Sequence, residues 1–294
     1  MLINNNLKGS FLLTNLFFNI NFMKMIIIII LFYFSAFQAE SQNNNTFTAN
    51  YEVTYRLMYS SDSTNIDNKS TEDFYLFIGD EKSKFTSKNN HIIDSIKAKM
   101  MKNFNGSIDL SNMNIPKTKF WEVIFKDYKN NQIEMIDRIG RDLFLYSEAI
   151  KPYTWDIKQD KKVINDFKVQ KAVTKFGGRE FIAWFTEEIA IPQGPYKFEG
   201  LPGLIVQISD TENHYNYQLI SFKEVKGKKE IKYIDKNKNY IETTKKQLQQ
   251  TKQDFFDNPI QRMNEGGLSF NLSPKDKRRI KEKYKRRNNP IELE

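Results

Sequence analysis

The chain has 294 residues, with 45 Lys and Arg against 36 Asp and Glu for a formal charge of +9, and aromatic residues make up 14% of it. Cysteine is absent and there are two histidines, His91 and His214. That excludes disulfides, thiolate metal sites, a Cys nucleophile, a lipidated N-terminal Cys and a His-rich metal cage. The excess of Lys accompanies abundant Asn, Ile, Phe and Tyr, as AT-rich coding favours, so the basic balance does not by itself specify a nucleic-acid partner.

Residues 25–34 form a continuous apolar run behind Lys24. Ten helical residues at about 1.5 Å each fall short of a hydrocarbon core of roughly 30 Å. A short run behind a Lys and followed by small residues predicts a secretory signal peptide. Translation from Met23 gives the best basic start, making 1–22 an upstream extension, and Ala39-Glu40-Ser41 predicts cleavage that leaves Gln42 first. The competing reading is an uncleaved anchor over 11–34. The expectation is export to the periplasm or outer envelope, with one β-rich domain over 42–294.

From 46 to 59 the residues Phe47, Ala49, Tyr51, Val53, Tyr55, Leu57 and Tyr59 share one parity, which predicts a long strand with a single buried face. Residues 73–78 and 83–87, split by Gly79-Asp80-Glu81-Lys82, read as a hairpin. Residues 91–104 have helical Ile/Met spacing, with Asn90 as the cap. Strand rhythm resumes at 121–125, 133–139 and 143–147, touches Ile157, and continues over 167–176, 180–186, 204–209, 215–225 and 231–233. Strands so spaced, joined by Gly/Asn/Asp turns, predict a mainly β fold: a large curved antiparallel sheet or partial barrel with appended helices, with α+β as the alternative. Residues 243–256 predict a helix ended by Asn258-Pro259, and Gly266-Gly267 marks a break. Ser273 followed by Pro274 and Asp276 predicts the start of a second, strongly basic helix over 274–287. On it Ile280 and Tyr284 form one narrow apolar stripe, expected to rest on the sheet. Residues 290–293 put two apolar side chains on one parity, which suits a terminal strand.

The densest punctuation lies at 191–204, Ile-Pro-Gln-Gly-Pro-Tyr-Lys-Phe-Glu-Gly-Leu-Pro-Gly-Leu. Leu201-Pro202-Gly203-Leu204 predicts a type II turn, with Pro202 preset at position i+1 and Gly203 at φ > 0. Here the chain resembles the GLPGLI proteins, also called Porph_ging. Gly200, Leu201, Pro202, Gly203, Leu204 and Ile205 spell that name. The likeness extends through Gly178-Arg179, Ala183-Trp184-Phe185-Thr186, Gly194-Pro195, Phe198, Asp210 and the closing Asn289-Pro290-Ile291-Glu292-Leu293. The resemblance implies secretion from a Gram-negative bacterium and a β-rich fold. It implies no catalytic residue, because the family's function is not established.

No nucleophile elbow, Walker loop or dinucleotide fingerprint occurs. Four residues stand out as candidates for binding a ligand or locking a loop: Arg179, Trp184, Phe198 and Asp210. Arg179 could pair bidentately with Asp210 or Glu199 and fix the 191–204 loop, or could clamp an anionic headgroup. Tyr196, Phe198, Trp184 and Phe185 could line an apolar cleft or be plain core. Asp210, Glu212 and His214 could hold a divalent metal or form a polar turn, and His91 stands alone. The reading adopted is an exported, non-enzymatic protein that binds an apolar ligand or envelope protein, without cofactor or metal. Its basic helix would reach an anionic membrane surface, and nucleic acid is not an expected partner. The alternative is an Asp/Glu-dependent hydrolase, with or without a metal, acting on envelope or extracellular polymers.

Overall fold

Alternating side chains commit nearly half of the described residues to ladders, since a strand buried at every second position must lay that face on a shared core. The structure, a computed structural model, describes residues 46–102, 114–235, 238–265 and 272–294. The expected signal peptide, the end of the first helix and the Gly266-Gly267 break lie outside them. β1 (Thr46–Tyr59), β2 (Ser70–Ile78) and β3 (Lys82–Ser87) are followed by β4 (Val123–Asp127), β5 (Gln132–Ile139) and β6 (Asp142–Ala149). Then come β7 (Asp156–Ile164), β8 (Phe167–Phe176), β9 (Arg179–Thr186), β10 (Leu204–Asp210), β11 (Tyr215–Lys232) and the two-residue β12 (Ile241–Glu242). Together they make one open twelve-stranded sheet in the order β12-β6-β5-β4-β3-β2-β1-β11-β10-β9-β8-β7. Its ladders are antiparallel apart from β12 on β6. The mainly β sheet expected from the alternation is therefore present, and it does not close.

The sheet curls strongly. β6 and β9 are eight strand spacings apart, about 38 Å in a flat sheet at about 4.8 Å per strand. Yet Phe198, between β9 and β10, meets Phe181 of β9 with ring centroids 4.7 Å apart, while its neighbour Lys197 donates to Tyr146 Oη of β6 at 2.9 Å. The concave face holds the main core, including Val53, Tyr55, Leu57, Phe74, Leu76, Ile124, Phe181, Phe185, Ile208 and Leu219.

β1 buries one parity throughout, Ala49, Val53, Tyr55, Leu57 and Tyr59, but not into one cluster. Phe47 and Ala49 join Phe77 and Ile231 in a separate cluster, while Val53 to Tyr59 face the concave core. The cause is a register break against β11 between Ala49 and Tyr51, where Gly227 takes φ +87°. A bulge of that kind turns the remainder of the strand over. β7 sits at the opposite edge from β12, exposed along most of its length and broken in register between Ile157 and Lys161.

Four helices complete the described residues. α1 (Lys88–Lys102) packs on β2 and β3, with His91 edge-on to Tyr75 at 5.6 Å and tilted on Phe77 at 5.2 Å. That packing accounts for His91. α2 (Lys245–Asp257) begins at a capping box, Thr244 with Gln247, and ends at Asn258. It buries Leu248 and Phe255 into the concave core beside β5 and β6. α3 (Pro259–Glu265) follows directly. α4 (Pro274–Lys285) starts at Ser273, whose hydroxyl accepts from the Asp276 N–H at 3.1 Å. It packs on α2 and α3 rather than on the sheet, through Tyr284 against Phe255 and Phe256. Two aromatic residues of α2 outcompete the sheet for that stripe. None of these helices is long and apolar enough to cross a membrane.

Candidate functional site

The 187–203 connection between β9 and β10 folds inward as a plug on the concave face. Pro192 O accepts from Gly200 N–H at 2.9 Å, and Gln193 O accepts from Ile205 N–H at 3.1 Å. The turn at Pro202 is tighter than the expected four-residue type II turn. Gly203 N–H donates to Leu201 O at 2.7 Å, a three-residue turn that suits proline's fixed φ. Gly203 is not at positive φ; Gly200 is, at +87°. The requirement at Gly203 is space, because a Cβ there would lie 1.9 Å from the Thr186 carbonyl oxygen. Leu201, Leu204 and Ile205 are buried, as is Phe198. Polar anchors hold the plug to both sides of the curl. Lys126 of β4 donates to Lys197 O at 2.9 Å and to Glu199 Oε2 at 2.6 Å, and Trp155 donates to Glu199 O at 2.9 Å. Burial pushes the Lys126 ammonium below its ordinary value despite the neighbouring Glu199.

Arg179 opens β9 and is buried. Its Nη1 donates to Asp210 Oδ2 at 3.0 Å, through one oxygen and not bidentately. Its Nη2 donates to Asn289 Oδ1 at 2.5 Å and Pro290 O at 2.9 Å. Arg179 therefore fixes the C-terminal tail, and the 191–204 loop is held by other groups. The Asp210, Glu212 and His214 ligand atoms lie within 4.8 Å of one another. The Arg179 guanidinium already meets all three, with Glu212 at 3.8 Å and His214 Nδ1 at 3.1 Å. A positive charge thus occupies the place where a metal ion would compete.

Residues 287–294 form no strand. They run across the concave face on side-chain bonds, with one ladder-like contact from Leu293 N–H to Gly177 O at 2.7 Å. Asn289 donates to Ser60 O at 2.8 Å and its carbonyl accepts from Tyr215 Oη at 2.5 Å. Glu292 is buried between Lys197 Nζ at 2.8 Å and Lys245 Nζ at 2.6 Å, and accepts from Tyr196 Oη. Burial opposes its charge, but Lys197, Lys245 and Tyr196 outweigh it and hold the carboxyl below its usual range.

Between the sheet, α2 and this tail lies a cavity of about 450 Å³. Tyr59, Phe74, Phe85, Phe120, Tyr217 and Phe256 supply much of its wall. Glu122, Asp137 and Lys252 face it as well. Lys252 Nζ lies 2.9 Å from Glu122 Oε1 and 2.8 Å from Asp137 Oδ2. Burial pushes Asp137 up to about 6 against the pull of Lys252. A cavity of this size, apolar with a few convergent polar groups, is the usual form of a small-ligand site.

Of the residues singled out from sequence, Tyr196 lines this cavity; Arg179, Trp184, Phe198 and Asp210 do not. Phe198 and Phe185 are core, and Trp184 lies on the opposite parity of β9, half-buried beneath Lys162 at 3.9 Å. The sequence reading missed the cavity aromatics as a set and the groups around Lys252, Lys197 and Glu292. Their partners are about a hundred residues apart, and no local pattern joins them.

Among solved structures, PNGF-II in space groups P21 and C2 matches with TM-scores of 0.44 and 0.45, at 15% and 16% identity. The overlap takes in 68% and 69% of this chain, which spans about a third of the length of those structures, 32% in each case. So loose an overlap carries neither fold nor activity across. No curated protein matches the chain. The Porph_ging family model, described as a protein of unknown function, matches residues 177–207, and the chain carries that family's signature from the turn before β9, through the plug, into β10.

Proposed function

We propose that this protein is an exported, non-enzymatic carrier or receptor for an apolar small molecule, held in the aromatic cavity beneath α2. The observation that supports the reading is the cavity of about 450 Å³, walled by aromatic side chains from β1, β2, β3 and β11 and roofed by an amphipathic helix. Export rests on the apolar run at residues 25–34 behind Lys24. A saturable rise in N-phenyl-1-naphthylamine fluorescence tests the binding. Ile124→Trp should abolish it by filling the cavity while the melting transition remains cooperative, whereas Lys161→Ala, on the exposed edge strand β7, should retain it. A parent chain with no saturable binding would overturn the reading. Mass spectrometry of the protein from its native host should find Gln42 at the N-terminus.

The hydrolase reading has one observation in its favour, the Glu122 and Asp137 carboxylates converging on Lys252. Both are clamped by the ammonium, so neither stands free to act as nucleophile or base. Polymer hydrolysis that was lost in Asp137→Asn would favour this second reading.

A further inference from the structure

A second cavity, of about 810 Å³, adjoins the aromatic one. The two share Lys119, Glu122, Asp137, Lys252, Phe256 and Arg287 as a common wall. Resting on the ligand reading above, we propose that the ligand is a single-chain amphiphile. Its alkyl chain fills the aromatic cavity and its anionic head lies in the adjoining one, against Lys119 and Arg287, with Lys283 nearby.

The argument is one of charge. Along the shared wall, the two carboxylates Glu122 and Asp137 are already paired with Lys252. Glu292, on the aromatic side, is held by Lys197 and Lys245. Among the described residues, Lys119 and Arg287 have no carboxylate at ion-pairing distance. The carboxylate closest in influence, Glu72, is engaged by the Ser87 and Thr118 hydroxyls. The two cations instead lie over aromatic faces. Lys119 Nζ is 5.7 Å from the Tyr59 ring, and the Arg287 guanidinium is 5.6 Å from Phe256 and 5.2 Å from Tyr284. A cation over a ring is partly stripped of water yet keeps its charge, which strengthens its attraction for an anion. Partial burial, together with the Arg287 and Lys283 charges, pushes the Lys119 ammonium below its ordinary value, so these groups repel one another. An anion between them relieves that repulsion. Tyr59 and Phe256 belong both to the aromatic wall and to the seats of these cations, so chain and head would meet one continuous surface.

The test is displacement of bound N-phenyl-1-naphthylamine by dodecanoate, dodecyl phosphate, dodecanol and dodecyltrimethylammonium. In the parent protein both anions should displace at least about tenfold more tightly than dodecanol, with a preference that shrinks as salt rises. The cation should be weakest. Lys119→Glu combined with Arg287→Glu should erase the anion preference, bringing dodecanoate and dodecyl phosphate to the affinity of dodecanol or below. Lys119→Gln alone, at an exposed position, should lower it and guards against a folding defect in the double variant. Equal affinity for dodecanoate and dodecanol in the parent would overturn the head site while leaving the apolar cavity standing. Failure of the fluorophore and of every chain would bring down the cavity reading itself.

Discussion

Two irregular segments lie on the concave face, the plug at 187–203 and the tail at 287–294, and they are held by different physics. The plug is shaped locally. Pro192, Gly194, Gly200, Pro202 and Gly203 dictate its turns, and its backbone groups mostly bond within the segment or to its flanking strands. The tail has no turn chemistry of its own and lies where Arg179, Tyr215, Lys197 and Lys245 place it. Local chemistry makes a segment legible in sequence, whereas long-range side-chain bonds make it dependent on distant residues.

Substitutions should separate the two kinds of segment. Gly203→Val drives a side chain into the Thr186 carbonyl, and backbone cannot give way as a flexible side chain would. We expect a loss of about 4 kcal/mol or more, or failure to fold, read by urea denaturation. Arg179→Met leaves Asp210 buried without its cation and releases Asn289 and Pro290. Loss of about 3–5 kcal/mol is expected, with hydrogen exchange rising across 287–294 and not across the plug. Glu292→Gln keeps the shape but removes the charge shared by two lysines, for about 1–3 kcal/mol. If exchange rose equally in plug and tail for these two variants, the distinction between the segments would fail. Charge reversal at Lys281, Lys285 and Arg286 should change stability by about 0.5 kcal/mol or less, since all three are exposed. Deleting 290–294 should cost more than those three reversals together.

A buried cation outside both segments acts in the opposite direction. Lys84 lies in β3, donating to the Lys232 carbonyl at 3.1 Å, and burial lowers its pKa to about 8. Its folded value lies below its unfolded one, so the folded state binds fewer protons between about pH 8 and 10.5. Stability from this group therefore rises with pH across that window and is lowest below it. Lys84→Met should raise stability at pH 7 by about 1 kcal/mol and flatten the alkaline rise, as thermal melts at pH 7, 9 and 10 would read.

The strands were legible wherever alternation met a turn signal. The 46–59 and 167–176 runs coincide with β1 and β8, and Ser273 caps its helix where its residue type leads one to expect it. β7 left only Ile157 as a trace, because nearly every side chain on it faces solvent and no parity is selected. The reversal of face within β1 was illegible because its cause lies in β11, some 175 residues away. Gly203 was legible as a glycine requirement but not in kind, since the obstructing atom belongs to another strand. The expected strand at 290–293 failed because alternation cannot outweigh Arg179, Lys197 and Lys245 pulling on individual groups. The candidate site was the least legible part. Its walls are one or two residues from each of seven strands together with a helix, each ordinary in its own segment.

The exposed outer strand β7 also bears on how the molecule behaves among its own copies. A free strand edge offers unpaired N–H and C=O groups to any neighbour, and long flat edges assemble into fibres. β7 carries Lys158, Lys161 and Lys162 in quick succession, and its break in register bends the edge out of line. Two copies meeting edge to edge would have to seat a row of charged side chains across the new ladder and could align only in short stretches. At the other end, β12 offers just two residues. In a twelve-stranded sheet that does not close, the outermost strand is built as a fender rather than a template.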